Sequence, residues 1–277
     1  MPEQHRTFFA AQPWLVVGAR DAGGQPWASI LTGAPGFVSS PAADVLSVAA
    51  LPAAGDPIDG CLVAGAAIGA LGIELATRRR NRVNGIVRER NDAGLVVDVE
   101  QSFGNCPKYI QKRELSRSAP NGAAALAAAR TSDALDDEMQ HILRVTDTFF
   151  IASAAPARTH DRGCDVSHRG GRPGFVAATR QAIVWPDFEG NYMFNTIGNL
   201  LLDARAGLVV PDFASGDLLH VAGRAEIVWS GPEVDAFEGA ERLIRLHVER
   251  AVLRPRAMPL TGDLIEPSPA LRGTGTW

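Results

Sequence analysis

Apolar and polar positions along this chain fall into short runs, and the runs come in the same order twice. Glu3 to Ala11 carries a short helical pattern and leads into the apolar run Trp14-Leu15-Val16-Val17. Asp133 to Leu143 places Leu135, Met139 and Ile142 at helical spacing, with Ser132 in the N-cap position, and leads into Phe149-Phe150-Ile151. Each pair is followed by a turn of nearly identical sequence. Gly-Ala-Pro-Gly-Phe-Val begins at Gly33 and Gly-Arg-Pro-Gly-Phe-Val at Gly171, 138 residues apart in a chain of 277. Further on, Ile68 to Gly85 lines up with Ile197 to Ala225. Gly69 and Gly198 stand 129 residues apart, whereas Gly85 and Gly223 return to 138, which places a nine-residue insertion near Pro211 to Asp217. Several anchors in one order predict a tandem duplication.

The organisation that follows has four parts. Residues 1–118 form a first half, 119–131 a small-residue linker read as helical, 132–254 a second half, and 255–277 an extended tail rich in Pro and Gly. Ser230-Gly231-Pro232-Glu233 has the form of a capping box. Phe237, Ala240, Leu243, Ile244 and Val248 then share one face, predicting a last helix over 234–252 with His247 packed on its apolar side and Pro255 as its stop. Between these helices, short strands with Gly, Pro and Asp turns predict an antiparallel barrel rather than a doubly wound sheet. No GxGxxG or GxxxxGK[ST] stands between a strand and a helix.

Composition narrows the function classes. The chain is 46% hydrophobic and 21% charged with a net charge of −4, an ordinary soluble balance that gives no reason to expect a nucleic-acid partner. Cys61, Cys106 and Cys164 stand far apart without CxxC or paired His spacing, which argues against a metal site or disulfide framework and suits a reducing cytoplasm. Cys61 to Ala76 is too short and too interrupted to span a bilayer, and the first residues lack a signal-peptide pattern. No membrane partner is expected.

The candidate chemistry lies where the halves differ. Before the first PGFV turn stands Trp27-Ala28-Ser29-Ile30-Leu31-Thr32, mostly apolar; before the second stands Asp165-Val166-Ser167-His168-Arg169-Gly170. Strand alternation puts Asp165, Ser167 and Arg169 on one face, and from spacing alone this polar row reads as a solvent-facing edge strand sooner than as a binding row. After the second turn, Glu189 to Asn199 gathers Asn, Thr and Gly beside an apolar run, a composition suited to an anion held without a lysine cluster. Of the run Arg78-Arg79-Arg80 with Arg82, Arg79 and Arg80 read as a solvated face, and Arg82 stays open because it leads into the strand Val83-Asn84-Gly85. Cys106, beside Lys108, reads as a buried structural cysteine.

Asp165-Val-Ser-His-Arg-Gly-Gly-Arg-Pro-Gly-Phe-Val176, Gly190-Asn-Tyr-Met-Phe-Asn-Thr-Ile-Gly-Asn199 and Val221-Ala-Gly-Arg-Ala225 carry a resemblance, together with Ser102-Phe-Gly-Asn-Cys-Pro-Lys-Tyr-Ile-Gln111. They resemble the FMN-binding split barrels related to pyridoxamine 5′-phosphate oxidase, in particular an FMN-dependent group with an NCPK-like segment after the last barrel strand. The resemblance implies two tandem six-stranded antiparallel split barrels, mainly β with flanking helices, paired around FMN. It implies that Ser167, His168, Arg169 and Gly170 line the isoalloxazine ring. Asn191, Tyr192, Asn195 and Asn199 would hold the ribityl chain and phosphate. Tyr192 stands where a basic residue is more usual, leaving Arg162 or Arg224 to supply the charge.

The first half keeps NCPK without the flavin row; the second keeps the row without NCPK. A fused pseudo-dimer with one flavin site is expected, Lys108, Tyr109 and either Arg82 or Asn84 coming from the first half. The resemblance implies an FMN-dependent oxidoreductase acting on a small-molecule substrate, with NAD(P)H a candidate reductant. No catalytic acid or base is assigned. The other reading is a non-catalytic flavin or haem carrier, with His168, His220 or His247 as axial ligand. Association beyond the internal pair, as a homodimer, stays open.

Overall fold

The computed structural model describes residues 1–118, 128–156, 163–190 and 192–277. Helix α1 (Glu3–Ala10) precedes a sheet of β1 (Trp14–Arg20), β2 (Pro26–Thr32), β3 (Val38–Ser39), β4 (Val45–Val48), β5 (Ala67–Glu74), β6 (Arg79–Asn91) and β7 (Gly94–Gly104). Short strands β8 (Lys112–Arg113), β9 (Ser116–Arg117) and β10 (Arg130–Ser132) lead to helix α2 (Asp137–Val145). The second half comprises β11 (Thr148–Ala154), β12 (Cys164–Gly170), β13 (Ala177–Ala178), β14 (Ala182–Phe188), helix α3 (Asn195–Leu202), β15 (Arg205–Pro211), β16 (Leu218–Val228), helix α4 (Pro232–Asp235) and β17 (Ala240–Arg254). The tail adds β18 (Leu260–Thr261) and β19 (Leu264–Glu266).

The two sheets are the same sheet twice. The first runs β2-β1-β5-β6-β7-β4-β3 and the second β12-β11-β15-β16-β17-β14-β13, all pairings antiparallel. Each is six strands with a two-residue strand added at the edge, and the second also takes β10 alongside β17. Even the irregularities repeat: β6 bulges between Asn84 and Gly85, and β16 between Ala222 and Gly223. The PGFV turns are equivalent as well. Gly36 (φ 94°) and Gly174 (φ 92°) take the left-handed conformation, and their amides donate to Ala10 and Arg144 near the ends of α1 and α2, both at 2.8 Å.

Why the central strands are apolar on both faces follows from this pairing. Along β1, Leu15, Val17 and Ala19 enter the core of the first half, while Trp14 and Val16 enter a third cluster between the halves. Along β11, Phe149 and Ile151 enter the second core, while Phe150 and Ala152 join the same central cluster. A strand buried on both sides loses its polar alternation. Full burial of a side chain such as Phe150 contributes about 2 kcal/mol.

The halves touch through two equivalent glycines. A Cβ on Gly69 would lie 2.3 Å from the carbonyl oxygen of Cys164, and one on Gly207 would lie 2.2 Å from that of Pro26. Gly69 and Gly207 are 138 residues apart, as are Pro26 and Cys164. The counterpart of Gly69 is therefore Gly207 rather than Gly198, which sits on α3, and no nine-residue insertion is needed. Gly69→Ala should destabilise the chain by about 2 kcal/mol or more, because the obstruction is backbone that cannot rotate away. A urea midpoint within error of the parent would refute this close approach.

Further expectations are corrected. The predicted last helix is one turn, α4, followed by the 15-residue strand β17. Ile244, Leu246 and Val248 alternate with Arg245, His247 and Glu249, and β17 is paired on one side with β14 and on the other with β16. The N-cap of α4 is Gly231, without a side-chain cap bond, so the capping box does not form. His247 stands exposed. Helix α2 starts at Asp137, capped by Asp136, whose carboxylate accepts from the Met139 amide at 2.9 Å; Ser132 belongs to β10. The helical reading of the linker falls mostly on residues 119–127, outside the described residues, and Arg130 at its end lies in β10. The tail is extended only in part: it pairs with β9 and β8, makes a 3-10 turn at Pro269–Gly273, and ends with the Trp277 indole donating to Phe175 O at 3.2 Å. No helix among the described residues is long and apolar enough to cross a membrane.

Candidate functional site

Strand β12 ends at a cleft to which both halves contribute. Ser167, His168, Arg169 and Gly170 line it from the second half, with Tyr192, Asn195 and Thr196 at the start of α3. From the first half come Arg80 and Arg82 on β6, and Asn105, Cys106, Lys108 and Tyr109 beyond β7. Asp187, Glu241 and Arg242 close the far side. Of the residues expected from sequence, eight meet here. Asn199 does not line the cleft, and Asn191 lies outside the described residues.

Behind the lining is a buried polar network that ties the halves together. Arg82 donates to Asp165 at 3.0 Å and to the Ser167 hydroxyl at 2.5 Å. Asp165 also accepts from Asn84 at 2.8 Å and from Asn199 at 2.9 Å. The alternation that put Asp165 and Ser167 on one face of the strand thus aims both at β6. Asn199 serves this carboxylate and the Ser153 hydroxyl. Of the two alternatives for the first-half contribution, Arg82 and Asn84 both engage, but only Arg82 reaches the cleft.

His168 is buried, with its ring edge-on to Phe150 at 5.7 Å and its Nε2 without a partner. Burial, then the nearby positive charges of Arg80 and Arg169, hold its pKa well below the ordinary 6.5, so the ring is neutral at physiological pH. Arg169 donates to the carbonyl of His168 at 3.1 Å and stands 3.8 Å from Asp187; burial lowers its pKa. Arg80 is half-buried and lines the cleft, which corrects its assignment to a solvated face. Arg79, on the opposite side of the strand, is exposed and lies over the Phe8 ring. Burial and the guanidiniums of Arg82 and Arg169 pull the Arg80 pKa down to about 9.

The NCPK segment is fixed by contacts from the other half and the tail. A Cβ on Gly170 would meet the Tyr109 carbonyl at 2.1 Å, so the segment lies directly against the end of β12. The Tyr109 hydroxyl donates to Glu189 O at 2.8 Å, and Lys108 pairs with the Glu189 carboxylate at 3.3 Å. Gln111 donates to Gly171 O at 2.7 Å and accepts from the Ser268 amide of the tail at 2.8 Å. Burial followed by Glu189 raises the Tyr109 pKa to about 12, so the phenol keeps its proton. Cys106 is half-buried on the cleft wall rather than a buried structural cysteine. Cys61 and Cys164 are the buried ones, their thiols pushed up to about 12 chiefly by burial.

At the mouth, Tyr192 (φ 57°) and Phe194 (φ 47°) both hold a left-handed backbone that costs on the order of 1 kcal/mol each outside glycine. Both are exposed, with ring centroids 5.8 Å apart. The Arg242 guanidinium sits 5.3 Å from the Phe194 ring and 5.5 Å from that of Trp229, and is anchored by Asp187 at 2.6 Å and Glu241 at 2.9 Å. Strained, exposed aromatics beside a polar cleft are where a planar ligand would find a stacking surface. Sequence reasoning missed Arg80, Asn105, Asp187, Glu241 and Arg242. Arg80 carried a usable signal, being two residues before Arg82 on a strand; Arg242 was hidden by the helical reading of β17. Arg224 is exposed on β16 and does not line the cleft, and Arg162 lies outside the described residues.

The pseudo-equivalent position is filled by the protein itself. Shifted by 138 residues, Arg80 and Arg82 become Leu218 and His220, and Ser167 and His168 become Ser29 and Ile30. Leu218 and Ile30 join Met258 in the central apolar cluster. His220 is fully buried with Nδ1 3.0 Å from Ala28 O, and Asp56 accepts from Ser29 at 2.5 Å and Arg254 at 2.6 Å. Among the described residues no cluster of His, Cys, Asp and Glu could hold a metal ion.

A flavin offers ring carbonyls, ring nitrogens, hydroxyls and a phosphate, and the open cleft has the complementary atoms. Buried nitrogens of Arg80, Arg82, Arg169, Arg242 and His168, with the amide oxygen of Asn105, have no hydrogen-bond partner in the protein. Such orphans are costly unless a ligand or water satisfies them.

No family model matches this chain, and no curated protein does. Three solved structures illustrate what it is similar to. HupZ of Group A Streptococcus shares 10% identity over 48% of this chain and 98% of its own, with a TM-score of 0.34. A proposed pyridoxamine 5′-phosphate oxidase from Lactobacillus delbrueckii shares 15% identity over 43% and 94%, with a TM-score of 0.35. The FAD-binding protein of Mycobacterium smegmatis shares 12% identity over 46% and 98%, with a TM-score of 0.30.

Proposed function

We propose that the chain is a flavin-binding oxidoreductase that holds one FMN in the cleft between its halves and exchanges electrons with a small molecule. The observation that carries this reading is the set of orphaned buried polar atoms on one cleft, from Arg80, Arg82 and Asn105 of the first half and His168, Arg169 and Arg242 of the second. A bound flavin would supply the two-electron chemistry; the protein supplies position and charge. Ser167, Arg169 and the backbone at Gly170 present hydrogen-bonding groups to one edge of a ring. Lys108 and Tyr109 bound its other side. Asn195 and Thr196, at the positive end of α3, suit the phosphate. His168, neutral and deep, packs rather than titrates. Of the three histidines considered as haem ligands, His168 alone lines the cleft, and no observation favours haem.

The visible spectrum of the purified protein tests the reading. Flavin bands at one equivalent per chain are expected, bleached anaerobically by NADH or NADPH if the protein is an enzyme rather than a carrier. A Soret band, or a colourless protein that takes up no FMN, overturns it. Lys108→Ala should weaken FMN binding about tenfold or less, since the lysine is exposed and shared with Glu189. An unchanged Kd and unchanged spectrum would remove Lys108 from the site and count against a contribution from the first half.

A further inference from the structure

The cations of the cleft are not evenly opposed. Arg82 is met by Asp165, Lys108 by Glu189, Arg242 by Asp187 and Glu241, and Arg169 stands near Asp187. Arg80 has no carboxylate partner among the described residues, and its buried Nε has no hydrogen-bond partner. Its position on β6, two residues from Arg82, turns it toward Ser167–Gly170, the row against which the ring is expected. Nothing in the fold requires a cation there, since Leu218 fills the equivalent place in the second half. Burial first, and then the positive charges of Arg82 and Arg169, depress the Arg80 pKa, and a negative ligand would offset both.

We propose that Arg80 is a charge-selecting residue of the cleft, whose unopposed guanidinium binds the flavin more tightly once reduction has made the ring anionic. The inference rests on the flavin reading. Hydride transfer from a nicotinamide or similar donor would place two electrons and one proton on a bound ring and oxidise the donor, and the ring so reduced would carry one negative charge for Arg80 to hold. A fixed cation in the cleft wall favours that form over the neutral one. Tighter binding of one redox form is, by linkage, a shift in potential toward that form. Arg82 cannot do this equally, because Asp165 and Ser167 already occupy both of its terminal nitrogens.

The experiment is a pair of measurements on the flavin-loaded protein: the Kd for FMN and the midpoint potential of the bound flavin. They are made for the parent, Arg80→Gln, Arg80→Met and Arg80→Lys. Removing the charge should reduce the preference for the reduced form about tenfold, a fall of about 30 mV for a two-electron couple. Arg80→Lys should recover part of it, which a packing role alone would not produce. A parent that binds no FMN overturns the flavin reading and the inference with it. A parent that binds FMN, with Arg80→Gln and Arg80→Met at the parent's potential, overturns the inference alone. If Arg80→Met fails to fold, Arg80→Gln, which keeps polarity and most of the length, decides between the two outcomes.

Discussion

Asp165→Asn should lower the folding stability of this chain by about 3–5 kcal/mol and, under the proposed function, weaken FMN binding in the same step. The carboxylate is buried and accepts from Arg82, Asn84 and Asn199, so its one negative charge compensates a guanidinium whose side chain is only 4% exposed. An amide of the same shape cannot accept all three bonds and cannot neutralise Arg82. The buried cation is left facing two amides, which is the expensive half of breaking a buried ion pair. Two of the three donors come from β6 of the first half, so the loss falls on the contact between halves as well as on the wall of the cleft. Urea unfolding of Asp165→Asn beside Asp165→Leu with Arg82→Met measures the effect. The double replacement, which removes both charges, should cost less than Asp165→Asn alone. A single variant within about 1 kcal/mol of the parent would mean that Arg82 is compensated elsewhere.

What made the fold legible was the repeat of a turn with a strict backbone requirement. Gly36 and Gly174 take a conformation that other residues rarely adopt, and Phe37 and Phe175 are buried behind them, so the PGFV signature survives where the surrounding strands have changed. The alignment slipped between the turns because Ile-Gly occurs both at Ile68, on a strand, and at Ile197, on a helix. The true partner of Gly69 was distinguishable only by a contact, the carbonyl it approaches on the other half. Strand β17 was illegible for a related reason. Leu243, Ile244 and Leu246 are all buried, because the strand bears on a core and on the mouth of the cleft, so helical and alternating patterns fit its apolar residues equally well.

The site was legible as far as one strand could show it. Asp165 to Gly170 contrasts with Trp27 to Thr32 because the copies face different surroundings: Asp165 to Gly170 stands with Arg80 and Arg82, while Ile30 of the other copy joins Leu218 and Met258. Residues that act from another strand carry no such contrast along the chain. Arg80, Asp187 and Arg242 come together from three strands, and their charges read as surface until the sheet brings them to one cleft. Asn199 shows the opposite error. Its residue type suits a phosphate, but its side chain is already committed to Asp165.

The divergence of the copies sets up the second large effect. Asp56→Asn should cost about 3–5 kcal/mol, comparable to Asp165→Asn, yet leave the flavin Kd within about twofold of the parent. Asp56 is buried, accepting from Ser29 at 2.5 Å, from Arg254 at 2.6 Å and from the Ile58 amide at 3.1 Å. Arg254 is itself 6% exposed, so the amide variant strands a buried guanidinium just as it does at Arg82. The difference lies in what surrounds the pair. Arg82 lines an open cleft; Arg254 is paired with Leu218 across β16 and β17, and Leu218 joins Ile30 and Met258 in the central apolar cluster. Stability and binding should therefore fall together in one variant and separate in the other, measured by urea unfolding and by FMN titration at a temperature where both fold. Loss of affinity in Asp56→Asn matching that in Asp165→Asn would show that the halves are coupled through the interface or that the closed position also binds. Retained affinity in Asp165→Asn would move the flavin out of the open cleft. The expected pattern, with one equivalent of flavin bound in both the parent and Asp56→Asn, is what a duplicated barrel gives when one copy keeps the site and the other fills it.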